Sequence, residues 1–164
     1  MSAYLWVRVD DRLPHGQVAL GWRHALDPAA FLIVDDATAA DPFASALFHA
    51  ALPEGLELAV LDTRSFLDPA TQRPPEARTV LLIRGIAEAR ILCEGGFRPE
   101  SVNLGGLHHR PGARRYLDFI YLTDKDVADA RWLLARGIEI FAQDLPSSPR
   151  CAAAGLLDTG GFAA

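Results

Sequence analysis

Hydrophobic residues along the chain fall into short runs separated by stretches of helical spacing. The runs YLWVRV (4–9), AFLIVDD (30–36), LELAVLD (56–62), TVLLIR (79–84), SVNLGG (101–106) and IEIFAQ (138–143) read as strands. Between them, HGQVALGWRHAL (15–26), DPFASALFHAAL (41–52), GIAEARILCEGG (85–96) and TDKDVADARWLLARG (123–137) repeat apolar residues every three or four positions and predict helices. Asp41 followed by Pro42 is a helix start, because a carboxylate can cap free amides and proline has no N–H to leave unpaired. Gly95, Gly96 and Gly137 are helix stops. RRYLDFIYL (114–122) reads as a further strand with no helix before it, which predicts an antiparallel one. This alternation predicts an α/β fold: a single open, twisted, mostly parallel sheet of about seven strands, one of them antiparallel, with helices on both faces.

LDPATQRPPEAR (67–78) is the richest loop, and LPSSPRCAAAGLLDTGGFAA (145–164) reads as a weakly ordered tail. The expected organisation is therefore one domain over residues 1–145 and a C-terminal tail over 146–164. A chain of 164 residues, half of them hydrophobic, is long enough to bury a core. Its formal net charge of −5 argues against bulk binding to nucleic acid or to an anionic membrane. Sixteen residues are Lys or Arg, and Lys125 is the one lysine, so an arginine near a site is weaker evidence of function here than usual. Cys93 and Cys151 make neither a disulfide framework nor a metal-ligand spacing. No apolar run approaches the length of a membrane span, and MSAYLWVRVDD lacks the form of a signal peptide, so a cytoplasmic protein is expected.

In open parallel sheets, ligands bind beyond the carboxyl ends of the strands. Three predicted strands end in chemically loaded turns: DDRLPHGQ (10–17), DD (35–36) and NLGGLHH (103–109). In the first, Pro14 suits the first turn of a helix, so the amides of His15, Gly16 and Gln17 would point outward and favour an anion. A neutral imidazole is a nucleophile, and a phosphorylated one needs donors around it. Arg8 and Arg12 are within reach of such a group, Gly16 allows close approach, and Asp10 or Asp11 can accept from an imidazole N–H or orient Arg12. The same spacing also fits a histidine that bonds locally at a helix start, with the aspartates as caps. Spacing alone leaves both readings open.

RVDDRLPHGQVALGW resembles the signature of the IIB components of the mannose/fructose/sorbose family of the bacterial sugar phosphotransferase system, whose usual form is R-I-D-D-R-L-I-H-G-Q-V before a helix with a tryptophan. The likeness continues through IVDDATAADPF (33–43), LLIRGIAEARILCEGG (81–96) and SVNLGGLHHRPG (101–112), and covers the chain to about Leu145. The resemblance implies a phosphoryl carrier acting as a protein-phosphohistidine–sugar phosphotransferase. His15 would be phosphorylated on Nδ1 by the phosphohistidine of a IIA domain. It would then pass the group to a sugar imported by the IIC and IID membrane subunits, with which the protein would be peripherally associated. By the same resemblance Arg8 and Arg12 steady the phosphoryl group, and Asp10, Gly16 and Gln17 complete the loop. Asn103, Gly105 and Gly106 form the neighbouring phosphoryl-binding turn, and no metal or organic cofactor is implied. Pro14 departs from the family, which usually has an aliphatic residue there; activity is expected to survive a stiffer loop.

Other candidates have two readings each. His24 and His49 suit helix surfaces; His108 lines the crevice or belongs to a plain loop; Trp22 is core or a partner-facing anchor. Asp35 and Asp36 orient the site or cap a strand end. Asp124, Asp126 and Asp129 resemble a metal cluster but occupy the first turns of a helix, where acids complement the dipole. Arg110, Arg114 and Arg115 are expected to join Arg8 and Arg12 in a positive rim facing an acidic IIA surface. The alternative function is a regulatory phosphocarrier module uncoupled from transport. A nucleotide-binding enzyme is the weaker third reading, for the chain has no Gly-rich phosphate loop.

Overall fold

The computed structural model describes residues 6–70 and 78–161. Tyr4 and Leu5 of the first expected strand and residues 71–77 of the long loop lie outside the described residues. Seven strands form one sheet in the order β3-β2-β4-β1-β5-β8-β9, and two more form a separate hairpin. The first six of the sheet's strands are parallel: β1 (Trp6–Asp10), β2 (Ala30–Val34), β3 (Glu57–Leu61), β4 (Thr79–Ile83), β5 (Ser101–Gly106) and β8 (Glu139–Ala142). These match the six predicted runs to within two residues at each described end.

Both faces of the inner strands are covered, and alternate residues sort into two cores. Phe31 and Ile33 of β2 and Val80 and Leu82 of β4 pack with Leu13 and Val18 on one face. Leu32, Val34, Leu81 and Ile83 face the other, with Val7 and Val9 of β1 and Leu104 of β5. The first face is covered by a π-helical segment Gln17–Trp22 continuing into α1 (Arg23–Leu26), and by α3 (Pro42–Ala51). The second is covered by α4 (Thr63–Leu67), α5 (Ile86–Glu94), α6 (Asp124–Leu134) and α7 (Ala153–Asp158). Connections leaving β1 and β5, which are neighbours, therefore depart to opposite faces. That reversal opens a crevice at their carboxyl ends.

The structure corrects two expectations. Residues 114–122 are not one strand of the sheet but an antiparallel hairpin, β6 (Arg114–Leu117) and β7 (Ile120–Leu122), attached to it by a bridge from Ile120 to Leu107. Asp118 and Phe119 supply the turn. The antiparallel member of the large sheet is instead β9 (Cys151–Ala152), paired with β8 and followed by α7 with Ala153 and Leu157 buried. Residues 151–158 are thus folded onto the sheet rather than forming a weakly ordered tail. The apolar CAAAGLL is too short to show a period, which is why the pattern hid it.

Helix ends follow the expected chemistry. The Asp41 carboxylate accepts from the amides of Phe43 and Ala44, and Thr123 and Asp126 form a capping box at α6. Asp35 caps the short α2 (Asp36–Ala39), accepting from the Thr38 amide, and forms a side-on pair with Arg84. Asp124, Asp126 and Asp129 are each engaged by a cation, respectively Arg114, Arg110 and both Arg90 and Lys125. Burial pushes the Cys93 thiol up to about 11.

Two predictions follow from this packing. A side chain at Gly105 would place its Cβ 1.9 Å from Arg8 Cζ, whereas at Gly106 the nearest atom is Asp10 Oδ1 at 3.2 Å. Arg8 is fully buried, so it cannot swing aside cheaply. Gly105→Ala should cost about 1–3 kcal/mol or more, as overpacking does, and Gly106→Ala clearly less, by denaturant unfolding. The second concerns acid. The Arg84 guanidinium, more than the opposing burial and with help from Thr38, holds the Asp35 carboxyl at about 2 against an ordinary 3.8. A depressed carboxyl stabilises the fold above its unfolded pKa, so this contribution is full above pH ~4 and lost as pH falls through about 2. In thermal unfolding, the gap in melting temperature between the wild type and Asp35→Asn should therefore close as pH falls from 4 towards 2.

Candidate functional site

The crevice between β1 and β5 is organised by a buried arginine. Alternation along β1 sends Val7 and Val9 into one core and leaves Arg8 and Asp10 on the face beneath the π-helical segment, both with no exposed surface. Arg8 donates from Nη1 to Asn103 Oδ1 at 2.7 Å and to the Gln143 carbonyl at 3.1 Å. From Nη2 it donates to Asp10 Oδ2 at 3.0 Å and to the Asp144 carbonyl at 3.2 Å. Its guanidinium lies 5.4 Å from the Trp22 ring, and the Trp22 indole N–H also donates to the Asp144 carbonyl. Burial draws Arg8 below its ordinary pKa while Asp10 opposes the shift.

Room for this guanidinium comes from the backbone of β5. The pairing of β1 with β5 slips after Val9, so that Asp10 faces Gly106 and Gly105 is left beside the arginine. A bulge at a strand end re-aims neighbouring groups in this way.

Asp10 is the junction between the buried arginine and the loop that follows β1. Its Oδ2 accepts from His15 Nε2 at 3.1 Å as well as from Arg8, and its Oδ1 accepts from the Arg12 amide at 3.2 Å and lies 3.5 Å from Arg12 Nε. Burial alone would raise this carboxyl, but the His15 hydrogen bond and the charges of Arg8 and His15 outweigh it, and the net shift is downward. An ionised carboxylate only accepts, so in the neutral ring Nε2 carries the proton and Nδ1 holds the lone pair on the opposite edge. The His15 side chain keeps 18% of its surface exposed, and that of Arg12 keeps 42%.

The loop itself is unusual. Leu13 is fully buried yet has φ +57°, in the left-handed region that branched side chains rarely enter, and its amide closes a turn onto the Asp10 carbonyl. The helix starts later than expected. Gly16 is its N-cap and Gln17 its first residue, so Pro14, which is buried, and His15 belong to the loop, and the opening amides begin at Gly16. A π-helical start is a feature found often at functional sites. A Cβ at Gly16 would meet nothing within 4 Å, so the space over this turn is open. The side chain of Gln17 lies outside the described residues.

Of the residues singled out in the sequence, the structure brings Asp10, Arg12, His15 and Gly106 together and places Arg8, Asn103 and Gly105 beneath them. Arg8 thus touches Asp10 rather than the open edge of the imidazole. Of the two aspartates that could accept from His15, Asp10 does so, and Asp11 instead ties the two loops together. Its carboxylate accepts from the His108 amide at 2.6 Å and meets His108 Nδ1 at 2.7 Å, while its own amide donates to the Gly106 carbonyl. The Gln143 and Asp144 carbonyls had no signal in the sequence, since any residue type supplies one. Arg110, Arg114 and Arg115 pair with Asp126, Asp124 and Asp118, so they do not form the expected positive rim.

Among the described residues, no helix is long and apolar enough to cross a membrane. Residues 4–162 match the family model described as the sorbose subfamily IIB component of the phosphotransferase system. The chain is 29% identical over 147 residues to the N-acetylgalactosamine-specific phosphotransferase enzyme IIB component 1 of Escherichia coli, covering 89% of this chain and 93% of that protein. It is 32% identical over 145 residues to the mannose-specific EIIAB component of the same organism, covering 87% of this chain but 45% of that longer protein. The crystal structure of the E. coli N-acetylgalactosamine-specific IIB component 1 superposes with a TM-score of 0.83 at 28% identity over 90% of this chain and 97% of that one. The IIB domain of the sorbose permease of Klebsiella pneumoniae, at 23% identity and a TM-score of 0.87 over 99% of both chains, shares the fold. The chain belongs to the sorbose subfamily of IIB components of the sugar phosphotransferase system.

Proposed function

We propose that the protein is a phosphoryl carrier, taking the group onto Nδ1 of His15 from the phosphohistidine of a IIA domain and delivering it to a sugar imported by IIC and IID membrane subunits. One observation carries this reading: His15 Nε2 is tied to a buried carboxylate, which aims the lone pair of Nδ1 away from Asp10. In the acceptance step that lone pair attacks phosphorus, the N–P bond to the donor histidine breaks, and its electron pair returns to the donor ring. Positive charge then develops on the His15 imidazole, and the Asp10 carboxylate opposite Nε2 stabilises it. In delivery a sugar hydroxyl oxygen attacks phosphorus, the His15 N–P bond breaks and the hydroxyl proton departs to solvent or a partner base.

Arg12 is the cation suited to the phosphoryl oxygens, being half-exposed beside the same loop. Arg8 has a different part in this reading: next to the His15 hydrogen bond itself, its charge keeps Asp10 ionised. A carboxyl buried without a cation would rise in pKa and compete with imidazole for the proton. Asn103 and Gly105 hold Arg8, and Gly106 seats Asp10. The relatives named above are transport components, which supports coupling to a membrane transporter rather than a separate regulatory role. In that setting the protein works at the cytoplasmic face of the membrane.

Incubation with a phosphorylated IIA domain, followed by mass measurement, should show one acid-labile phosphoryl group. It should be absent from His15→Ala and present on His24→Ala and His49→Ala; equal labelling of His15→Ala would refute the assignment.

In rapid-quench transfer assays, Arg12→Ala should slow acceptance by about 10²-fold, the scale of losing one transition-state donor. Arg12→Lys should restore only part of the rate, since a point charge lacks the planar fork. Arg136→Ala, whose guanidinium stacks on Trp132, should leave the rate unchanged.

A further inference from the structure

Asp10 holds the reactive loop from beneath, and a second hold reaches it along the carboxyl edge of the sheet. Arg84, the residue following β4, donates from Nη1 to the main-chain carbonyl of Asp11 at 3.0 Å. The other edge of the same guanidinium meets Asp35 side-on, Nε to Oδ1 at 3.0 Å and Nη2 to Oδ2 at 2.9 Å. Asp35 is itself fixed as the cap of α2, accepting from the Thr38 amide at 3.0 Å and from its hydroxyl at 2.6 Å. One side chain thereby ties the ends of β1, β4 and β2 together.

The point of attachment matters more than the pair. The Asp11 carbonyl and the Arg12 amide belong to one planar peptide unit. Arg84 binds its oxygen and Asp10 binds its N–H. With both ends fixed, the plane cannot rotate, and the direction in which the Arg12 side chain leaves the backbone is set. The unit ends at Arg12, the residue before Leu13, whose left-handed backbone needs its neighbours held.

From this double clamp we infer that Arg84, oriented by Asp35, is a positioning residue for phosphoryl transfer, acting through the Asp11–Arg12 peptide on the guanidinium of Arg12. The inference rests on the proposed function. Were Arg84 only a surface ion pair with Asp35, its loss would leave the rate unchanged, since exposed pairs contribute little. Lysine cannot replace it, because a single ammonium cannot bridge a side-on carboxylate and a carbonyl on opposite edges.

Two measurements test it. In single-turnover acceptance from a phosphorylated IIA domain, Arg84→Gln should lower the saturating rate about ten-fold, within the range that small misplacements of catalytic groups produce. The donor concentration giving half that rate should be unchanged. Arg84→Lys should fall between glutamine and wild type, and Asp35→Asn combined with Arg84→Gln should be no slower than Arg84→Gln alone, because Asp35 acts through Arg84. In the unphosphorylated protein, amide exchange at Arg12 should quicken in Arg84→Gln but not in Arg136→Gln. A wild-type transfer rate in Arg84→Gln, or unchanged exchange at Arg12, would overturn the inference. If the wild-type protein accepts no phosphoryl group, the proposed function falls, and the exchange measurement alone then decides whether Arg84 holds the loop.

Discussion

The site depends on one buried ion pair, Arg8 with Asp10. Stability does not call for it, since taking two charges out of water costs about as much as their attraction returns, and apolar side chains of similar volume serve as well. Once present, the pair dictates its surroundings. The guanidinium needs acceptors, which Asn103 and the carbonyls of Gln143 and Asp144 supply at the ends of β5 and β8. It needs space, which the absence of a side chain at Gly105 provides. It needs a lid, and Trp22 on the first helix closes over it. Three strands and a helix are thus registered on one cation, and the carboxylate paired with it also binds His15 Nε2.

The reactive loop is held the way a strained segment must be, from more than one side. A buried leucine in a left-handed conformation costs about 1–2 kcal/mol, and its surroundings have to over-determine it. Beneath it lies Asp10, which receives the Arg12 amide. Beside it, Asp11 is joined to the amide and ring of His108, and its carbonyl to Arg84. Above it the space is open at Gly16. Under the proposed function, constraint on three sides and freedom on the fourth suits a histidine that has to enter a donor's site without rearranging.

How much of this the sequence revealed depends on the range of each interaction. The strands β2 and β4 stood out because burial on both faces makes their residues almost uniformly apolar. The helix at Pro42 stood out because its cap, Asp41, is local. The hairpin at 114–122 was hidden because its two-residue turn, Asp118 and Phe119, has no glycine or proline to break the run, and β9 because two residues show no period. The burial of Arg8 was equally invisible, for a strand with alternating polar residues reads as half-solvated until a helix is known to cover it. Asp35 and Arg84 lie 49 residues apart in the chain and meet only because β2 and β4 are adjacent in the sheet. The signature around His15 pointed to this loop, and the fold separates its two arginines, Arg8 buried against Asp10 and Arg12 partly exposed.

That difference between the arginines bears on what a carrier requires. A group that both accepts and donates phosphoryl must not bind it too well, because stabilising the loaded state without stabilising the transition states only deepens a trap. Two arginines turned fully onto the phosphoryl group would do that. Here Arg8 is buried against Asp10 and, under the proposed function, reaches the reaction only through the charge and tautomer of His15, while Arg12 stands half in solvent, where water weakens each contact it makes. In the proposed reaction Asp10 acts on the imidazole, whose positive charge grows as the N–P bond forms and falls as it breaks, so its effect follows the bond rather than the phosphoryl oxygens. On this reading the strong, dry electrostatics are directed at the transferring nitrogen, and the weaker, wet electrostatics at the cargo, which keeps transfer reversible in both directions.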